Sequence, residues 1–463
     1  MSVNNKEVDL TIVGGGLAGS EAAWQAAERG LQVSLYEMRP QNPTGAHISD
    51  KLGELVCSNS LGSNLGDRAS GLLKNELRML GSLLIKIADR TAVPAGGALA
   101  VDRDNFAGEI TDALEDHPRI SVIREEMPII PESLAIIASG PLTSNSLSKE
   151  LAKWGGEEHL YFYDAISPII DVESIDMNIA FRASRYERGD NTAGDYINCP
   201  MNEAEYLAFV GELVGAETIE LKAFESEIAS GVKAGAHEYF EGCLPIEVIA
   251  SRGEKSLAFG PMRPVGLIDP RSGRRPHALL QLRQDNLAGS LFNMVGFQTN
   301  LTFQEQKRVL RMIPGLEKAR FERYGQMHRN TFIHSPKLLK PNLSSKSRDS
   351  LLFAGQITGV EGYAGNIGTG LLAGINAARQ FAGEEMLKLP EHTMLGALCH
   401  YVTHADEANF QPMKANFGIL PAVPSPNKQN RRQRSAAKSD RAIELLETYL
   451  SKMDETAQIA ALV

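Results

Sequence analysis

The sequence predicts an α/β fold built on a parallel sheet and interrupted by a region of different texture. Three observations support this prediction. An apolar strand at residues 8–13 runs through a glycine-rich turn and a helix-forming segment into a second strand at 32–37, which makes a βαβ unit. A strand followed by glycine returns at residues 351–355. Between about 155 and 325, strands, turns and one helix alternate without that spacing.

Other elements follow from hydrophobic periodicity and from breaker residues. Residues 40–66 are predicted to be loop, and 91–101 are predicted to be extended. Gly370 and Gly374 indicate a helix that packs closely on a neighbour. Helices are predicted at 70–88, 105–114, 201–214, 368–381 and 439–452, and further strands at 121–123 and 134–138.

Composition limits the class of protein. The chain has 463 residues, 43% hydrophobic and 22% charged, which is ordinary globular usage and excludes a disordered, collagen-like or disulfide-stapled chain. The net charge of −10 argues against broad nonspecific binding to nucleic acid, although a local basic patch remains compatible with it. The length suits two or three domains.

Cysteine usage and hydropathy predict the compartment. No apolar run approaches the length of a membrane span, and charged residues directly precede the first strand. The four cysteines are far apart and form no metal-ligand pattern. We therefore expect a cytoplasmic protein with reduced thiols, no membrane association and no metal.

The first chemistry-bearing segment is the glycine turn after the first strand. It reads Gly14, Gly15, Gly16, Leu17, Ala18 and Gly19. In this pattern the first glycine permits the turn, the second lets backbone approach a pyrophosphate, and the third lets helix and strand pack closely. Glu37 ends the second strand, where an acid accepts hydrogen bonds from ribose hydroxyls and disfavours a 2′-phosphate. The segment predicts dinucleotide binding.

Two distant segments favour FAD over NAD as that dinucleotide. The strand at 351–355, which ends at Gly355, has the position of a C-terminal strand that closes an FAD site. The earlier strand that ends at Ser139 and Gly140 fits the same arrangement.

Cys57 and Cys243 are the candidate reactive thiols. Cys57 follows the loop after the second strand, and Cys243 lies between Gly242 and Pro245, in a predicted turn. An arbitrary cysteine is more often a small buried hydrophobe, which is the interpretation preferred for Cys399. A thiol needs help to ionise, and the sequence shows only that arginines lie near Cys243 along the chain.

Five blocks of sequence together resemble a known family. They lie at residues 54–60, 94–103, 260–267, 327–331 and 353–363. In this order they are similar to the folate- and FAD-dependent tRNA (uracil-5-)-methyltransferases, and the similarity runs from about residue 8 to at least 420. Several blocks in the right order are far more specific than a glycine turn alone.

The resemblance implies a fold and a reaction. The fold is an FAD-binding Rossmann-type domain, glutathione-reductase-like, with an inserted α+β domain, which we place at residues 1–155, 156–324 and 325–463. Methylenetetrahydrofolate donates a one-carbon unit, NAD(P)H reduces the FAD, and the target is C5 of the T-loop uridine at tRNA position 54. S-adenosylmethionine is not used.

The resemblance also implies residue roles. It makes Cys57 and Cys243 the catalytic pair, and we assign Cys243 as the thiol that attacks uracil C6 and Cys57 as its acid/base partner, with the reverse assignment left open. Tyr363 is expected to stack on the base or the flavin, and His328 either packs against a pteridine or belongs to the core. The arginines of 263–283 and the basic tail at 428–441 either contact RNA phosphates or form solvated faces.

Four other functions remain as alternatives. The same chemistry on ribosomal RNA is the first of them. The related enzymes that add aminomethyl groups to wobble uridine are longer, which disfavours them. A flavin oxidoreductase of small molecules needs neither an RNA surface nor a second thiol. A noncatalytic flavoprotein would keep its function after loss of both cysteines.

Overall fold

The structure is a computed structural model, and it describes residues 7–44, 46–156, 160–165, 167–187, 194–219, 244–423 and 430–460. The strands are β1 Leu10–Val13, β2 Val33–Tyr36, β3 Ser60–Ser63, β4 Ala92–Val93, β5 Ala98–Val101, β6 Ile120–Ile123, β7 Ala135–Ile137, β8 Leu160–Ala165, β9 Ile169–Asp171, β10 Phe181–Arg182, β11 Tyr196–Met201, β12 Ala278–Gln284, β13 Leu291–Met294, β14 Phe321–Arg323, β15 Met327–Phe332, β16 Leu351–Phe353, β17 Val360–Glu361 and β18 Met413–Lys414.

The helices follow in the same order. They are α1 Leu17–Glu28, α2 Ala69–Met79, α3 Leu83–Arg90, α4 Arg103–Glu115, α5 Asn145–Gly155, α6 Glu203–Val214, α7 Ile246–Ser251, α8 Ser256–Phe259, α9 Phe303–Leu310, α10 Ser335–Leu338, α11 Tyr363–Phe381, α12 Met394–His404 and α13 Arg431–Ala460. No helix in this described part of the chain is long and apolar enough to cross a bilayer.

A five-stranded parallel sheet organises the first and last parts of the chain. Its strand order is β16-β7-β1-β2-β6. The central strands are almost fully buried, which is typical of parallel sheets covered on both faces. The predicted βαβ unit and the late strand that joins the same sheet are confirmed.

Helices α1 and α11 pack against each other in close contact. A Cβ atom at Gly370 would lie 2.2 Å from the carbonyl oxygen of Ala18, and one at Gly374 would lie 2.5 Å from that of Ala22. Only glycine permits this approach of helix to backbone. The predicted close packing of this helix is confirmed, although the helix begins at Tyr363 and not at residue 368.

The prediction of one helix over residues 70–88 was wrong. The structure has two helices, α2 and α3, separated at Gly81, whose φ is +77°. Ser82 then caps α3, because its hydroxyl accepts a hydrogen bond from the Ile85 N–H at 3.2 Å. The predicted loop at 40–66 also contains β3, and α13 begins before residue 439.

A second, antiparallel sheet occupies the middle of the chain. Its strand order is β10-β11-β12-β13-β9-β14, and its apolar face packs on helices α6 and α9 around Phe209, Phe292 and Phe297. This core is separate from that of the parallel sheet. The antiparallel ribbon of β8 and β15 lies where the chain enters and leaves this region. The boundaries at residues 155 and 324 stay a prediction.

Candidate active site

A cleft lies at the carboxyl ends of the parallel strands. It has a volume of about 930 Å³ including its open mouth, and it lies next to the residues that follow β1, β2, β7 and β16. Ligands of open α/β sheets bind at this edge. Of the residues predicted to bind a cofactor, those that line the cleft are Gly14, Gly16, Leu17, Ala18, Glu37 and Gly355.

The glycine turn forms one wall of the cleft. Gly14 has a φ of +107°, and a Cβ atom at Gly19 would lie 1.8 Å from the carbonyl oxygen of Gly14. A Cβ atom at Gly16, by contrast, would meet no atom within 4 Å. Gly16 is the N-cap of α1 and gives it no side-chain cap, so the first N–H groups of this helix remain available for phosphate oxygens.

Glu37 is held at the end of β2 by several donors. Its side chain accepts hydrogen bonds from the Gly15 N–H at 3.0 Å and from Arg39 Nε at 2.9 Å. Burial opposes ionisation of this carboxyl group, but the bonds and charge of Arg39 outweigh it and lower the pKa of Glu37. Arg39 also bonds Glu54 at 3.1 Å. Glu37 is therefore a fixed carboxylate, and its Oε2 atom retains a lone pair for a ribose hydroxyl.

The opposite wall comes from β16 and the start of α11. Gly355 has a φ of +81°, and its N–H donates to Thr369 Oγ1 at 2.8 Å. Helix α11 lacks a side-chain cap at Gly362. Asn366 lines the cleft, and its Oδ1 atom is buried without a hydrogen-bond partner among the described residues. A buried acceptor of this kind needs a donor, so the cleft fits a ligand with N–H or hydroxyl groups and phosphates, as FAD has.

Cys57 lies beside this cleft and is held by Tyr363. Val56 lines the cleft, and the N–H groups of Cys57 and Ser58 donate to the Tyr363 hydroxyl at 2.8 and 3.1 Å. Tyr363 also lines the cleft, and burial raises the pKa of its phenol. Cys57 itself is half-buried. The structure therefore brings one predicted thiol to the cofactor cleft, through a contact that sequence reasoning missed.

Arginines next to the loop at 55–59 were also missed. Arg103 begins α4 and donates to the Leu55 carbonyl at 2.7 Å. Arg283 had been grouped with the exposed arginines of its region, but it lies in β12 and is buried. It donates to Asn59 Oδ1 at 2.9 Å. The sequence gives no signal of this burial, because residues 280–283 alternate between leucine and polar side chains as in a half-buried strand, whereas β12 is buried on both faces in the structure.

Of the other three cysteines, the structure describes two, Cys199 and Cys399. Cys243, the other predicted thiol, lies outside the described residues. Cys199 and Cys399 are buried, and burial raises the pKa of Cys399 to about 12. The prediction that Cys399 belongs to the core is confirmed, and neither of these two cysteines lines the cofactor cleft.

The predicted folate and RNA contacts have different outcomes. The side chain of His328, expected either to pack against a pteridine or to belong to the core, lies outside the described part. In the basic tail, Lys438 donates to the Phe417 carbonyl at 2.6 Å and Arg441 to the Pro421 carbonyl at 2.6 Å. These hydrogen bonds hold α13 against the segment at residues 417–421. Exposed cations remain on the middle region at Arg263, Arg274 and Arg275.

Fold and cleft together define the class of protein. A parallel sheet, an uncapped helix N-terminus after a glycine turn and a closing late strand make an α/β protein of the FAD-binding Rossmann type. Within the described residues, no group of three or more histidine, cysteine or acidic side chains is arranged to hold a metal.

Comparison with known proteins agrees with this class of FAD-binding protein and indicates the family within it. The family model "Glucose inhibited division protein A" matches residues 9–385. The methylenetetrahydrofolate–tRNA-(uracil-5-)-methyltransferase TrmFO of an Exiguobacterium species is 54% identical over 441 residues, covering 95% of this chain and 98% of that protein. The enzyme of the same name from Enterococcus faecalis is 53% identical, covering 96% of this chain and 99% of that protein.

A solved structure shares the fold. GidA from Aquifex aeolicus has a TM-score of 0.67 at 17% identity, covering 97% of this chain and 74% of that one. The chain belongs to the glucose inhibited division protein A family and, within it, to the methylenetetrahydrofolate–tRNA-(uracil-5-)-methyltransferases.

Proposed function

We propose that this chain methylates C5 of a uracil in tRNA and takes the carbon from methylenetetrahydrofolate. The observation that carries the proposal is the 54% identity to an enzyme of that name over nearly the whole of both chains. The aligned 441 residues make up 95% of this chain and 98% of that enzyme.

The cofactor of this reaction is FAD, and the cleft has groups that fit it. The free N–H groups at the start of α1 suit its pyrophosphate, Glu37 suits its ribose, and Asn366 Oδ1 awaits a donor. When bound and reduced by NAD(P)H, FAD supplies a hydride and carries the one-carbon unit. Tyr363 and Val56 bring the Cys57 loop to this cleft.

The chain's own thiols supply the remaining chemistry. Uracil C5 is a poor nucleophile, and addition of a thiolate to C6 moves an electron pair to the carbonyl oxygen and activates C5. After the carbon is transferred, a base must remove the C5 proton so that the thiol can leave. We assign Cys243 to the addition and Cys57 to the proton transfer. The half-buried position of Cys57, next to the cleft-lining Val56, supports this assignment.

The substrate is proposed to be the T-loop uridine at position 54. A stacked uridine must leave its stack before a thiol reaches C6, so the enzyme has to extrude it. The exposed arginines of the middle region, Arg263, Arg274 and Arg275, are candidates for phosphate contacts. A tRNA substrate places the enzyme in the cytoplasm.

A labelling experiment tests this proposal. Purified protein is incubated with unmodified tRNA transcript, NAD(P)H and methylenetetrahydrofolate labelled in its one-carbon unit, and a parallel sample receives labelled S-adenosylmethionine. We expect labelled 5-methyluridine at position 54 in the folate sample alone. Label from S-adenosylmethionine would contradict the proposal. Label on ribosomal RNA and not on tRNA would favour the alternative substrate.

A further inference from the structure

The loop at residues 55–59 lies between buried cationic side chains. Arg103 Nη1 donates to the Leu55 carbonyl at 2.7 Å on one side of Cys57. Arg283 Nε donates to Asn59 Oδ1 at 2.9 Å on the other side. Arg283 is 7% exposed and Asn59 is fully buried. Cys57 therefore lies midway along a short loop that is held by guanidinium groups at both ends.

A third arginine belongs to the same cluster. Arg323 ends β14 and donates through Nη2 to the Ala46 carbonyl at 2.7 Å. Burial is the main cause that lowers the pKa of its guanidinium group, and repulsion from Arg103 lowers this pKa further. The charge of Arg103 thus acts on Arg323, so the two guanidinium groups share one electrostatic environment. We call Arg103, Arg283 and Arg323 the arginine cluster.

The arginine cluster has more positive than negative charge. Among the described residues, the carboxylate that bonds the arginine cluster is that of Asp285, which lies 3.1 Å from Arg103 Nε. Glu54 is nearby but is already bonded to Arg39. Arg103 Nη2 and Arg323 Nη1 are buried and have no hydrogen-bond partner in the described part of the chain. Buried charge without a counter-ion is costly, so the site is arranged to hold a further anion.

The other titratable groups that face Cys57 do not supply this anion. Tyr363 accepts hydrogen bonds from the Cys57 loop, and its phenol stays neutral because burial raises its pKa. Tyr196 is near Arg283, and burial raises its pKa as well. A negative charge on the Cys57 sulfur would favour the guanidinium charge of Arg283, although this effect is smaller than that of burial. Among the described residues, the sulfur of Cys57 is thus the group that is able to complete the charge balance around Arg283.

We propose that the arginine cluster holds Cys57 as a thiolate, with Arg283 as its main positioning residue. The inference rests on the proposed function only in that it explains how Cys57 is ready to take up a proton from uracil. Guanidinium groups suit this task, because they stay charged when buried and direct several N–H donors at one anion.

Alkylation of Cys57 tests the inference without RNA or folate. The flavin-containing protein carries Cys243→Ser, so that its remaining cysteines are Cys57 and the buried Cys199 and Cys399. In the reaction with iodoacetamide, the thiolate sulfur displaces iodide and forms a thioether, and the rate follows the thiolate fraction. Labelling of the Cys57 peptide is followed by mass spectrometry from pH 5 to 10. We expect a midpoint at least one unit below the ordinary thiol value of about 8.5.

Variants separate charge from folding. Arg283→Gln is expected to raise the midpoint by about one unit, which slows labelling at pH 6.5 about tenfold. Arg283→Lys keeps the charge and is expected to restore most of the low midpoint. Arg323→Gln, at a half-buried position, is expected to shift it by about half a unit, and it serves if Arg283→Gln does not fold.

The matched control is Arg348→Gln. Arg348 also donates to one backbone carbonyl, that of Pro131 at 2.7 Å, and has a buried Nε without a partner, but it does not contact the Cys57 loop. This control should leave the midpoint unchanged. A parent midpoint at or above 8.5, or a midpoint that neither Arg283→Gln nor Arg323→Gln moves, overturns the inference. Methyl transfer plays no part in this readout. The proposed function can therefore fail while the inference stands, and the inference can fail while the proposed function stands.

Discussion

The cofactor cleft and the surroundings of Cys57 are adjacent, but they are built in different ways. The cleft is mostly backbone, with glycines that admit close approach and helix N-termini that lack side-chain caps. The Cys57 loop is held by side chains from distant parts of the chain, Tyr363, Arg103 and Arg283. The comparison indicates that binding a common cofactor needs a backbone shape, whereas tuning a thiol needs placed charges.

The charges of the two regions also differ. In the cleft, Arg39 bonds Glu37 and Glu54, so positive and negative groups are matched. Around Cys57, the buried Arg283 and the half-buried Arg103 and Arg323 share one bonded carboxylate, Asp285, in the described residues. A matched network stabilises the fold in the absence of ligand, whereas an unmatched one is arranged for an anion.

Glycine variants test the claim that the cleft depends on backbone shape, and they have the largest expected effect. Gly19→Ala places a Cβ atom 1.8 Å from the Gly14 carbonyl oxygen, so we expect loss of bound flavin and about 3 kcal/mol of stability. Flavin absorbance per protein and thermal unfolding measure these two effects.

The matched control is Gly16→Ala, where a Cβ atom meets no protein atom within 4 Å. It should unfold like the parent within about 1 kcal/mol, since glycine in this position contributes no packing, and should lose flavin affinity because the methyl group enters the cleft. Equal thermal unfolding of Gly19→Ala and the parent protein would contradict the packing argument.

Removal of Arg39 tests the matched charges. Arg39→Leu leaves two buried carboxylates without their partner, and we expect a loss of about 3 kcal/mol in urea unfolding at pH 7. Since the folded pKa of Glu37 is lowered, its contribution is present above the ordinary glutamate value and is lost as the pH falls through the folded pKa. The difference between parent and variant should therefore shrink below about pH 4.

The control for this prediction is Arg320→Leu, which removes an exposed ion pair with Asp171. Such pairs contribute less than about 1 kcal/mol, so the control should unfold close to the parent at every pH. A loss in Arg39→Leu no larger than in this control would show that the buried network is not stabilising.

Asn366→Leu tests whether the unpartnered acceptor in the cleft meets the cofactor. Loss of one hydrogen bond to a buried group is expected to weaken flavin binding about tenfold, measured by titration of the apoprotein. The matched control is Gln380→Leu, because the buried Gln380 Oε1 also has no hydrogen-bond partner among the described residues but lies outside the cleft. Asn376→Leu would not serve, because Asn376 donates a hydrogen bond to the Leu387 carbonyl. Equal flavin affinity in Asn366→Leu and the parent would place the donor elsewhere.

Tyr363→Phe has the smallest expected effect and connects the two regions. The variant removes the acceptor of the Cys57 and Ser58 N–H groups, so we expect a loss of about 1 kcal/mol and slower methyl transfer with flavin still bound. Tyr401→Phe, which removes a hydrogen bond to the Gln411 carbonyl, is the control and should keep the methylation rate. If the two variants methylate equally well, Tyr363 does not position Cys57.

Sequence reasoning succeeded where the signal was local. The glycine turn, its flanking strands and the close helix contact at Gly370 and Gly374 follow from spacing within short segments. The break at Gly81 was missed because helical periodicity continues across it, and only the φ of +77° reveals the turn.

The arrangement around Cys57 was not predictable in the same way. Arg103 and Asp285 are 182 residues apart, and Tyr363 bonds the Cys57 N–H across 306 residues. The resemblance named the blocks that contain Cys57, Arg103 and Tyr363, but the contacts among them depend on how the two sheets are placed. Burial of Arg283 depends on the same packing, because β12 is covered on both faces.

The most direct test of the central claim uses Cys57→Ala in the protein with its flavin. We assign cofactor binding to the cleft and uracil chemistry to the Cys57 region. We therefore expect that Cys57→Ala binds FAD and is reduced by NAD(P)H like the parent, but forms no 5-methyluridine above background from methylenetetrahydrofolate and tRNA. A variant that methylates at the parental rate, or one that loses its flavin, would contradict the division of function between the two regions.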